Sequence, residues 1–454
     1  MAGLLATGCK TYQEQNRVIQ YWQQGNLTNA VVEATKKADE NANNKDAIIW
    51  RLEQGAALRA NGQYDDSNKA FETAQEKMDD YAQKAKVRLG QETGALLSNQ
   101  AELDYEGRAY DGIMLNTYRA LNYLALGEPD KARPELIRAY QRQQDAVQDN
   151  AKRIEKVQKE AAKNKDSAAI QRAQDDPKLQ AQIQDASANL NDLKPYAAYV
   201  NPFTVYLDGL FFMTDAADNS DLERAHKSFE RVTDFAPDNR YVREDLAMVN
   251  SLINGQPLVP TTFVIFETGC APVRGQTRIS IPIFVAKVSY VGAAFPKLEP
   301  QGNYVPELTV TANGKNFGTS LVSDMDSVIG LDFKNEMPIV ITKTIASTVV
   351  KGVAAYAANQ AANQQSDWAG LLTQIATGIY QAAVNIADER TWTTLPKQFQ
   401  VCHFPTPADR RIELDTPGGR QNMPVTIGDG TINLIYVKSI NANSPLLVSQ
   451  MKLK

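Results

Sequence analysis

Apolar residues recur at helical spacing through the first half of the chain, where glycine and proline are few. After the turn-forming residues Gly255-Gln256-Pro257, the pattern changes to short runs of β-branched and aromatic residues. This change predicts a multidomain α+β chain, with an α-helical domain at 10–254 and a β-rich domain at 255–454.

Within the predicted helical domain one local pattern recurs: a helix, a tight turn near glycine, and a second helix with alanine and an aromatic residue at fixed offsets. The clearest copy contains Gly55, Gly62, Tyr64, Phe71 and Ala74. Two further copies contain Ala120, Tyr123, Gly127, Ala132, Leu136 and Ala139, and then Gly209, Ala225, Phe229 and Pro237; a weaker copy surrounds Gly25. Small residues let paired helices approach closely, and aromatic residues fill the space between neighbouring repeats. Four copies in order predict a tetratricopeptide-like α-helical solenoid.

The segment 134–194 is rich in Gln, Lys, Glu and Ala and does not fit a single repeat. Asp176-Pro177 is a natural break, because the residue before proline avoids helical backbone angles and proline suits a first helical turn. We expect two long helices that form an antiparallel hairpin projecting from the solenoid, with a disordered charged linker as the alternative. Asn201-Pro202 predicts the next helix start, with the asparagine as its cap.

The second half predicts strands separated by turns, with two helices rich in Ala, Gly and Thr among them. These helices are expected at 340–358 and 368–387, packed as a hairpin on the sheet. Membrane contact by the pair within an oligomer is the alternative. Residues 416–420 predict a hairpin turn rather than a phosphate-binding loop. The predicted strands lie at 261–267, 278–285, 304–312, 396–404, 410–415 and 431–438.

Composition restricts the class of protein. The chain has 454 residues, 43% of them hydrophobic and 22% charged, which fits neither a polytopic membrane protein nor a wholly disordered one. A net charge of −5 gives no indication of a nucleic-acid partner. With two histidines and three cysteines, no zinc site of Cys and His is expected, and no cofactor is predicted. Asp324 and Asp326 lack the spaced pattern of a calcium loop, so we expect them in a solvated loop.

The N-terminus carries a specific signal for location. Leu4-Leu5-Ala6-Thr7-Gly8-Cys9 matches a lipobox, in which small residues precede a cysteine that receives lipid. Only eight residues precede Cys9 and none is basic, so 1–9 would be the remnant of a longer secretory signal. Lys10, directly after the lipidated cysteine, favours the outer membrane over the inner one. The alternative is an incidental cysteine, and no other run reaches the roughly 18 apolar residues of a spanning helix.

The other two cysteines could form a bridge or stay free. Cys270 and Cys402 would lie in an oxidising compartment, which favours a disulfide, whereas two buried thiols are the alternative. Cys402 and His403 are adjacent and would point to opposite faces of a strand, so they cannot act as a catalytic pair. Cys270 with His403 stays open as a hydrolase pair, but no nucleophile elbow or oxyanion signature surrounds Cys270.

Dispersed motifs cover nearly the whole chain. Besides the lipobox they are Asp104-Tyr105-Glu106-Gly107, Leu121-Asn122-Tyr123-Leu124, Asn201-Pro202-Phe203 with Tyr206-Leu207 and Gly209-Leu210, Phe266-Glu267-Thr268-Gly269 with Ala271-Pro272, and Asp388-Glu389-Arg390 with Trp392 and Leu395-Pro396. In this combination the chain resembles a family of lipoproteins of Gram-negative bacteria that has no established activity. The resemblance implies a membrane-anchored protein that faces the periplasm and carries N-terminal repeats; it supplies no catalytic residue.

These observations together favour a non-enzymatic scaffold or adaptor of the bacterial cell envelope. A lipid anchor would hold it to the membrane, and the concave surface of the solenoid would bind other envelope proteins. Self-association into a homo-oligomer stays open. Two alternatives are a hydrolase or carbohydrate-active enzyme in the β-rich domain, and a component of an oligomeric secretion or appendage complex.

Overall fold

The computed structural model describes residues 10–87, 100–285, 288–362, 387–419 and 421–454. Over these residues the fold is α+β, with a helical N-terminal region and sheets in the C-terminal region, as predicted. The helices are α1 Lys10–Gln23, α2 Leu27–Glu40, α3 Ala47–Ala60, α4 Tyr64–Val87, α5 Ala109–Ala125, α6 Pro129–Lys163, α7 Ser167–Gln174, α8 Pro177–Ala186, α9 Pro202–Thr214, α10 Asn219–Phe235, α11 Arg240–Ile253 and α12 Met325–Ala362. The strands are β1 Thr261–Thr268, β2 Val273–Val285, β3 Val288–Glu299, β4 Thr309–Ala312, β5 Lys315–Gly318, β6 Ser320–Asp324, β7 Gln398–Pro405, β8 Arg411–Asp415, β9 Asn422–Thr426, β10 Ile432–Ser439 and β11 Leu447–Lys452.

Helices α1 to α6 form three hairpins that close with the same turn. Gly25, Gly62 and Gly127 have φ angles of 70°, 77° and 73°, a region that glycine enters without the steric cost of a Cβ. In each turn the glycine N–H donates to the carbonyl three residues back, and the following N–H donates to the carbonyl five residues back. The next helix begins two residues after each glycine. Helices α9 and α10 form a further hairpin with a longer connection.

Two glycines face aromatic rings of the partner helix in the same way. A Cβ added to Gly55 would lie 2.4 Å from a ring carbon of Phe71, and one added to Gly209 would lie 3.1 Å from the ring of Phe229. Among the other predicted repeat positions, Ala74 and Ala132 are completely buried and Tyr123 is half-buried. Tyr64 is the first residue of α4, and Pro237 lies in the exposed turn between α10 and α11.

The region after α5 differs from the projecting hairpin predicted at 134–194. The first arm is one long helix, α6, but the returning arm is broken into α7 and α8. Asp176 caps α8 by accepting a hydrogen bond of 2.9 Å from the N–H of Leu179, so the predicted break is confirmed. Both α6 and α7 pack on α12, and α8 packs on β2. The predicted projection is therefore wrong: Ile170 and Leu179 are buried against the rest of the protein.

The described strands form one five-stranded sheet, one four-stranded sheet and a separate β2–β3 hairpin. The five-stranded sheet has the order β11-β10-β1-β7-β6. Its central strand, β1, runs parallel to β10 and antiparallel to β7, and it is buried along its whole length. The four-stranded sheet has the order β5-β4-β8-β9. Gly418, with φ 77°, lies in the turn between β8 and β9, which confirms the hairpin turn expected there.

Helix α12 begins well before the helix predicted at 340–358. Strand β6 runs directly into α12, and the second predicted helix, 368–387, falls almost wholly outside the described residues. One stretch of α12, Met325–Ala354, is long and apolar enough to cross a membrane by composition alone, with a mean hydropathy of 1.3. However, 61% of an 18-residue apolar window in this stretch is buried inside the protein, as in the core helix of a soluble protein.

The helices and the sheets share one hydrophobic core. Glu53 of α3 accepts a hydrogen bond from Thr393, and Tyr118 of α5 donates one to Glu267 of β1. The ring of Phe203 in α9 stacks on the ring of Phe399 in β7. As a result α3, α5 and α9 are buried along almost their whole length. The boundary near residue 255 therefore separates two kinds of secondary structure but not two cores. The sheet region packs directly against α3, α5 and α9.

Candidate ligand-binding site

A cavity of about 350 Å³ lies where the turn between α3 and α4 meets β10 and β11. A volume of this size falls at the lower end of the range typical of small-molecule sites. The charged residues in its wall are Arg59, Glu267 and Lys438, which come from α3, β1 and β10. Tyr64, Tyr118 and Tyr436 also line it. The cavity thus combines charged groups, phenol rings and an opening between the two halves of the protein.

Glu267 is the centre of the polar wall. The parallel register of β1 and β10 places Glu267 directly beside Lys438, and Tyr436 lies two residues earlier on the same face of β10. The carboxylate accepts hydrogen bonds from Tyr436, from Lys438 and, at 2.9 Å, from Tyr118. Burial raises the pKa of Glu267, but the charge of Lys438 and the donated hydrogen bonds outweigh burial, and the pKa lies below its ordinary value. Glu267 is therefore a charged, fully satisfied carboxylate.

Arg59 faces the cavity without a carboxylate of its own. Its guanidinium carbon lies 5.2 Å and 4.8 Å from the ring centroids of Tyr118 and Tyr436, and Nη1 donates to Oδ1 of Asn122 at 2.6 Å. Among the residues that the structure describes, Arg59 forms no ion pair. Burial lowers the pKa of Arg59, but Tyr436 and Glu267 outweigh burial and raise the pKa, so the group stays charged.

Sequence reasoning did not assign Arg59, Lys438 or Tyr436 to a site. Glu267 belongs to the motif Phe266-Glu267-Thr268-Gly269, at the end of a predicted strand. A carboxylate in a buried strand needs a partner, and this requirement is the sequence signal that could have indicated the site. The partner itself could not be identified from the sequence. Strand β10, which supplies it, pairs with β1 but is separated from it by more than half of the sheet-rich part of the sequence. Arg59 lies in a helix that reads as an ordinary repeat helix.

The predicted disulfide between Cys270 and Cys402 is not formed, and both thiols are free. Cys270 lies just beyond β1, with its Sγ 3.7 Å from the carbonyl oxygen of Ile440, whereas Cys402 lies within β7 opposite Val264. Roughly six residues of strand, or about 20 Å, separate the two positions along the ladder. A disulfide requires Cα atoms within about 7 Å. The alternative of two free thiols is the one that the structure contains.

His403 belongs to a separate buried contact. Its Nε2 lies 3.2 Å from Oδ1 of Asp245 in α11, and its ring packs against Tyr241. Burial lowers the pKa of His403, against the opposing charge of Glu244, which favours the neutral imidazole. Since His403 pairs with a residue near the opposite end of β1 from Cys270, the two cannot act as a hydrolase pair in this structure.

Asp324 and Asp326 do not lie in a solvated loop. Asp324 ends β6 and accepts a hydrogen bond of 3.2 Å from the N–H of Ser327 in the first turn of α12. Asp326 pairs with Lys397. The loop prediction is wrong because the strand continues into the helix without a connection. In the described parts of the chain, no group of three or more His, Cys, Asp or Glu side chains could hold a metal ion.

Residues of the quoted motifs meet in a buried ion network between the two halves. Arg390 binds Asp388 at 2.7 Å and Asp46, at the start of α3, at 3.1 Å. The prediction that Arg390 pairs with a carboxylate is confirmed. Arg108, directly after the Asp104–Gly107 motif, binds Glu336 of α12 at 2.8 Å. The Asp388–Arg390 motif and Arg108 therefore connect the helical region to the rest of the protein. They lie outside the cavity, whose wall contains Glu267 from another motif.

No protein family, curated protein or solved structure matches the chain. The lipobox and Cys9 lie outside the described residues, so lipidation stays a prediction from sequence. The function of the protein is therefore argued from the helical hairpins, the cavity and the lipobox sequence.

Proposed function

We propose that this chain is a non-enzymatic adaptor of the bacterial cell envelope, anchored by lipid at Cys9 on the periplasmic side of the outer membrane. The observation that carries the proposal is the repetition of one helical hairpin. The turns at Gly25, Gly62 and Gly127 are identical in hydrogen bonding, and Gly55 faces Phe71 as the repeat spacing requires. Stacked hairpins of this tetratricopeptide-like kind build extended surfaces for binding other proteins.

The contact with a partner is expected at the cavity rather than on the inner face of the helices. The chain's own sheet region already covers that face through Glu53, Tyr118 and Phe203. Asn61 and Gly62 are exposed at the rim of the cavity, on the turn between α3 and α4. A protein segment that reaches the rim could place one of its groups inside the cavity.

Lipid anchoring is tested by expressing the protein from its gene in its own host beside a Cys9→Ala variant. Intact mass and membrane fractionation are measured for both. We expect a lipid mass and membrane sedimentation for the wild type alone, because lipidation requires the Cys9 thiol. If both proteins are soluble and unmodified, the envelope assignment fails, and a scaffold role without a membrane anchor is left.

Partner binding is tested by site-specific photo-cross-linking in cells. A photoreactive residue at Asn61 should give one discrete adduct with an envelope protein, which purified components must then reproduce. The matched control is the same residue at Asp238, which is exposed on the turn before α11 and does not line the cavity. Equal adducts at both positions, or none at Asn61, would remove the cavity rim as the partner site.

An oligomeric envelope complex is the second candidate. The apolar stretch Met325–Ala354 of α12 is the observation that favours it. This candidate predicts oligomers whose size depends on detergent, measured by light scattering during gel filtration. Of the enzyme alternatives, a Cys–His hydrolase would need Cys270 and His403 to meet, and these two residues lie apart.

A further inference from the structure

The charges that line the cavity do not balance. Arg59 and Lys438 are cations, whereas Glu267 is the only carboxylate among the described residues of the wall. Lys438 pairs with Glu267, whereas Arg59 donates to an amide oxygen, lies against three aromatic rings and is influenced by the charge of Glu267 without forming an ion pair with it. Two buried cations that share one carboxylate are incompletely neutralised, and cation–π contacts offset only part of that cost. One negative charge is missing from the cavity.

The hydrogen-bond donors in the wall are also incompletely used. Arg59 has five N–H donors, of which one bonds Asn122 at 2.6 Å and another bonds the phenol oxygen of Tyr436. The phenols of Tyr118 and Tyr436 are both occupied by Glu267. The charged donors that can reach a ligand therefore come from the guanidinium of Arg59 and from the ammonium of Lys438, beside the neutral side chains of Asn61 and Ser449.

Apart from Asn61, Gly62 and Ser449, the rest of the wall is apolar or aromatic and limits the shape of an occupant. Tyr64 lies with its ring centroid 6.0 Å from the guanidinium carbon of Arg59. The apolar side chains of the lining are Ala56, Ala60, Leu446, Leu447 and Val448. A ligand that fits here carries its charge at one end and presents an apolar or aromatic body to these side chains.

We infer that the cavity binds a monoanionic carboxylate on an apolar or aromatic body, held by Arg59 and Lys438. A guanidinium fork matches a carboxylate with two parallel hydrogen bonds. Glu267 in the same wall disfavours a second negative charge, so a carboxylate is preferred to a phosphate. The carboxylate could belong to a free small molecule or to the C-terminus of a protein segment. This ligand chemistry rests on the binding role proposed above.

The test is isothermal titration of the purified protein with benzoate, with benzamide as its uncharged analogue and with inorganic phosphate. We expect benzoate to bind at least about tenfold more tightly than benzamide, since only benzoate supplies the missing charge. Benzoate binding no tighter than benzamide binding would overturn the inference, as would tighter binding of phosphate. N-acetylphenylalanine against benzoate then distinguishes the two sources: tighter binding of the former indicates a protein C-terminus, and tighter binding of the latter indicates a small carboxylate.

Arg59→Met should abolish the preference for benzoate, and Arg59→Lys should retain part of it because the charge remains. The matched control is Arg224→Met, since Arg224 also stacks on a ring, at 4.2 Å from Phe212, and pairs with Asp208 outside the cavity. Unchanged benzoate binding in Arg59→Met, or equal losses in the two methionine variants, would refute the site. Circular dichroism of each variant separates lost binding from lost folding, and Arg59→Lys provides the test if Arg59→Met does not fold.

The two proposals can fail separately. If benzoate binds but Asn61 gives no adduct in cells, the ligand chemistry stands and the cavity rim is removed as the partner site. If Asn61 gives its adduct but benzoate binds no better than benzamide, the adaptor role stands and the carboxylate inference fails.

Discussion

The indole of Trp392 and the ring of Phe71 meet edge to face, with their centroids 5.7 Å apart and their planes at 60°. Trp392 precedes β7, whereas Phe71 lies in α4. Both side chains are fully buried, and Tyr118 completes the cluster with its centroid 5.9 Å from Trp392. The helical region and the sheet region are therefore joined by aromatic packing at the centre of one core.

Truncation of this contact should destabilise both halves together. Trp392→Ala should lower the free energy of unfolding by about 3–5 kcal/mol, the usual cost of removing a large buried aromatic side chain. Urea unfolding followed by far-UV circular dichroism and by tryptophan fluorescence should give coincident transitions for the wild type and the variant. Tyr290→Ala, at a half-exposed position near the tip of the β2–β3 hairpin, is the control with little expected change. Two separate transitions would show that the halves fold independently.

The contact between Gly55 and Phe71 should make an added methyl group costly. Gly55→Ala places a Cβ 2.4 Å from the Phe71 ring, so we expect a loss of about 1–3 kcal/mol from overpacking. Phe71→Leu in the same chain should recover part of that loss, since the smaller side chain leaves room for the Cβ. The measurement is a double-mutant cycle of urea unfolding, and strictly additive losses would contradict the contact.

Gly62→Ala, compared with Gly55→Ala, separates the cost of backbone strain from the cost of a steric clash. No atom lies within 4 Å of an added Cβ at Gly62, but its φ is 77°. The cost should therefore be about 1–2 kcal/mol from the left-handed backbone alone. Phe71→Leu should leave this cost unchanged, because the ring does not touch Gly62.

The buried carboxylate of Glu53 should make stability depend on pH. Burial raises the pKa of Glu53 from 4.5 to about 7, although its hydrogen bonds from Thr393 and Thr394 oppose the change. The folded protein therefore holds a proton on Glu53 that the unfolded chain has lost. The contribution of Glu53 to stability is full below pH 4.5 and is lost as the pH rises through about 7.

Glu53→Gln cannot ionise, so it should lack this loss. The stability of the variant relative to the wild type should rise by on the order of 3 kcal/mol between pH 4 and pH 8. Urea unfolding at several pH values measures the difference, and Glu72→Gln, at a side chain that is 58% exposed, is the control. A difference that does not change with pH would show that Glu53 is charged in the folded protein throughout this range.

Local signals explain why several boundaries could be predicted. Asn201 accepts a hydrogen bond of 3.0 Å from the N–H of Phe203, and Asp176 caps α8, so both caps act where the sequence places them. Strand β1 was predicted at 261–267 and occupies Thr261–Thr268. Each of these features depends on residues that are adjacent in the chain.

Strands β3 and β11 were missed because their local patterns are weak, although each pairs with its neighbour in the chain, β2 and β10. Strand β6 was missed because it depends on pairing across a long stretch of chain, with β7. The cavity could not be predicted for the same reason: Arg59, Glu267 and Lys438 meet only after β1 pairs with β10 and α3 packs beside them. A local pattern identified the types of element but not which elements would meet.

The two free thiols should differ sharply in reactivity. Burial raises the pKa of Cys270 to about 11, and it raises the pKa of Cys402 still further. Cys270 is partly exposed, whereas Cys402 is fully buried within β7. Only the thiolate attacks an alkylating reagent, so the folded protein should react slowly with iodoacetamide, and at Cys270 alone.

In a Cys9→Ala background, mass spectrometry should find one alkylated cysteine in the folded protein and two after unfolding in urea. The rate at Cys270 should rise about tenfold for each pH unit up to about pH 11, because the thiolate fraction rises by that factor. Cys270→Ser is the control, and it should leave the folded protein unreactive. A Cys270–Cys402 disulfide would instead give no alkylation in urea until a reductant is added, and that result would restore the bridge and contradict the separation of the two strand positions.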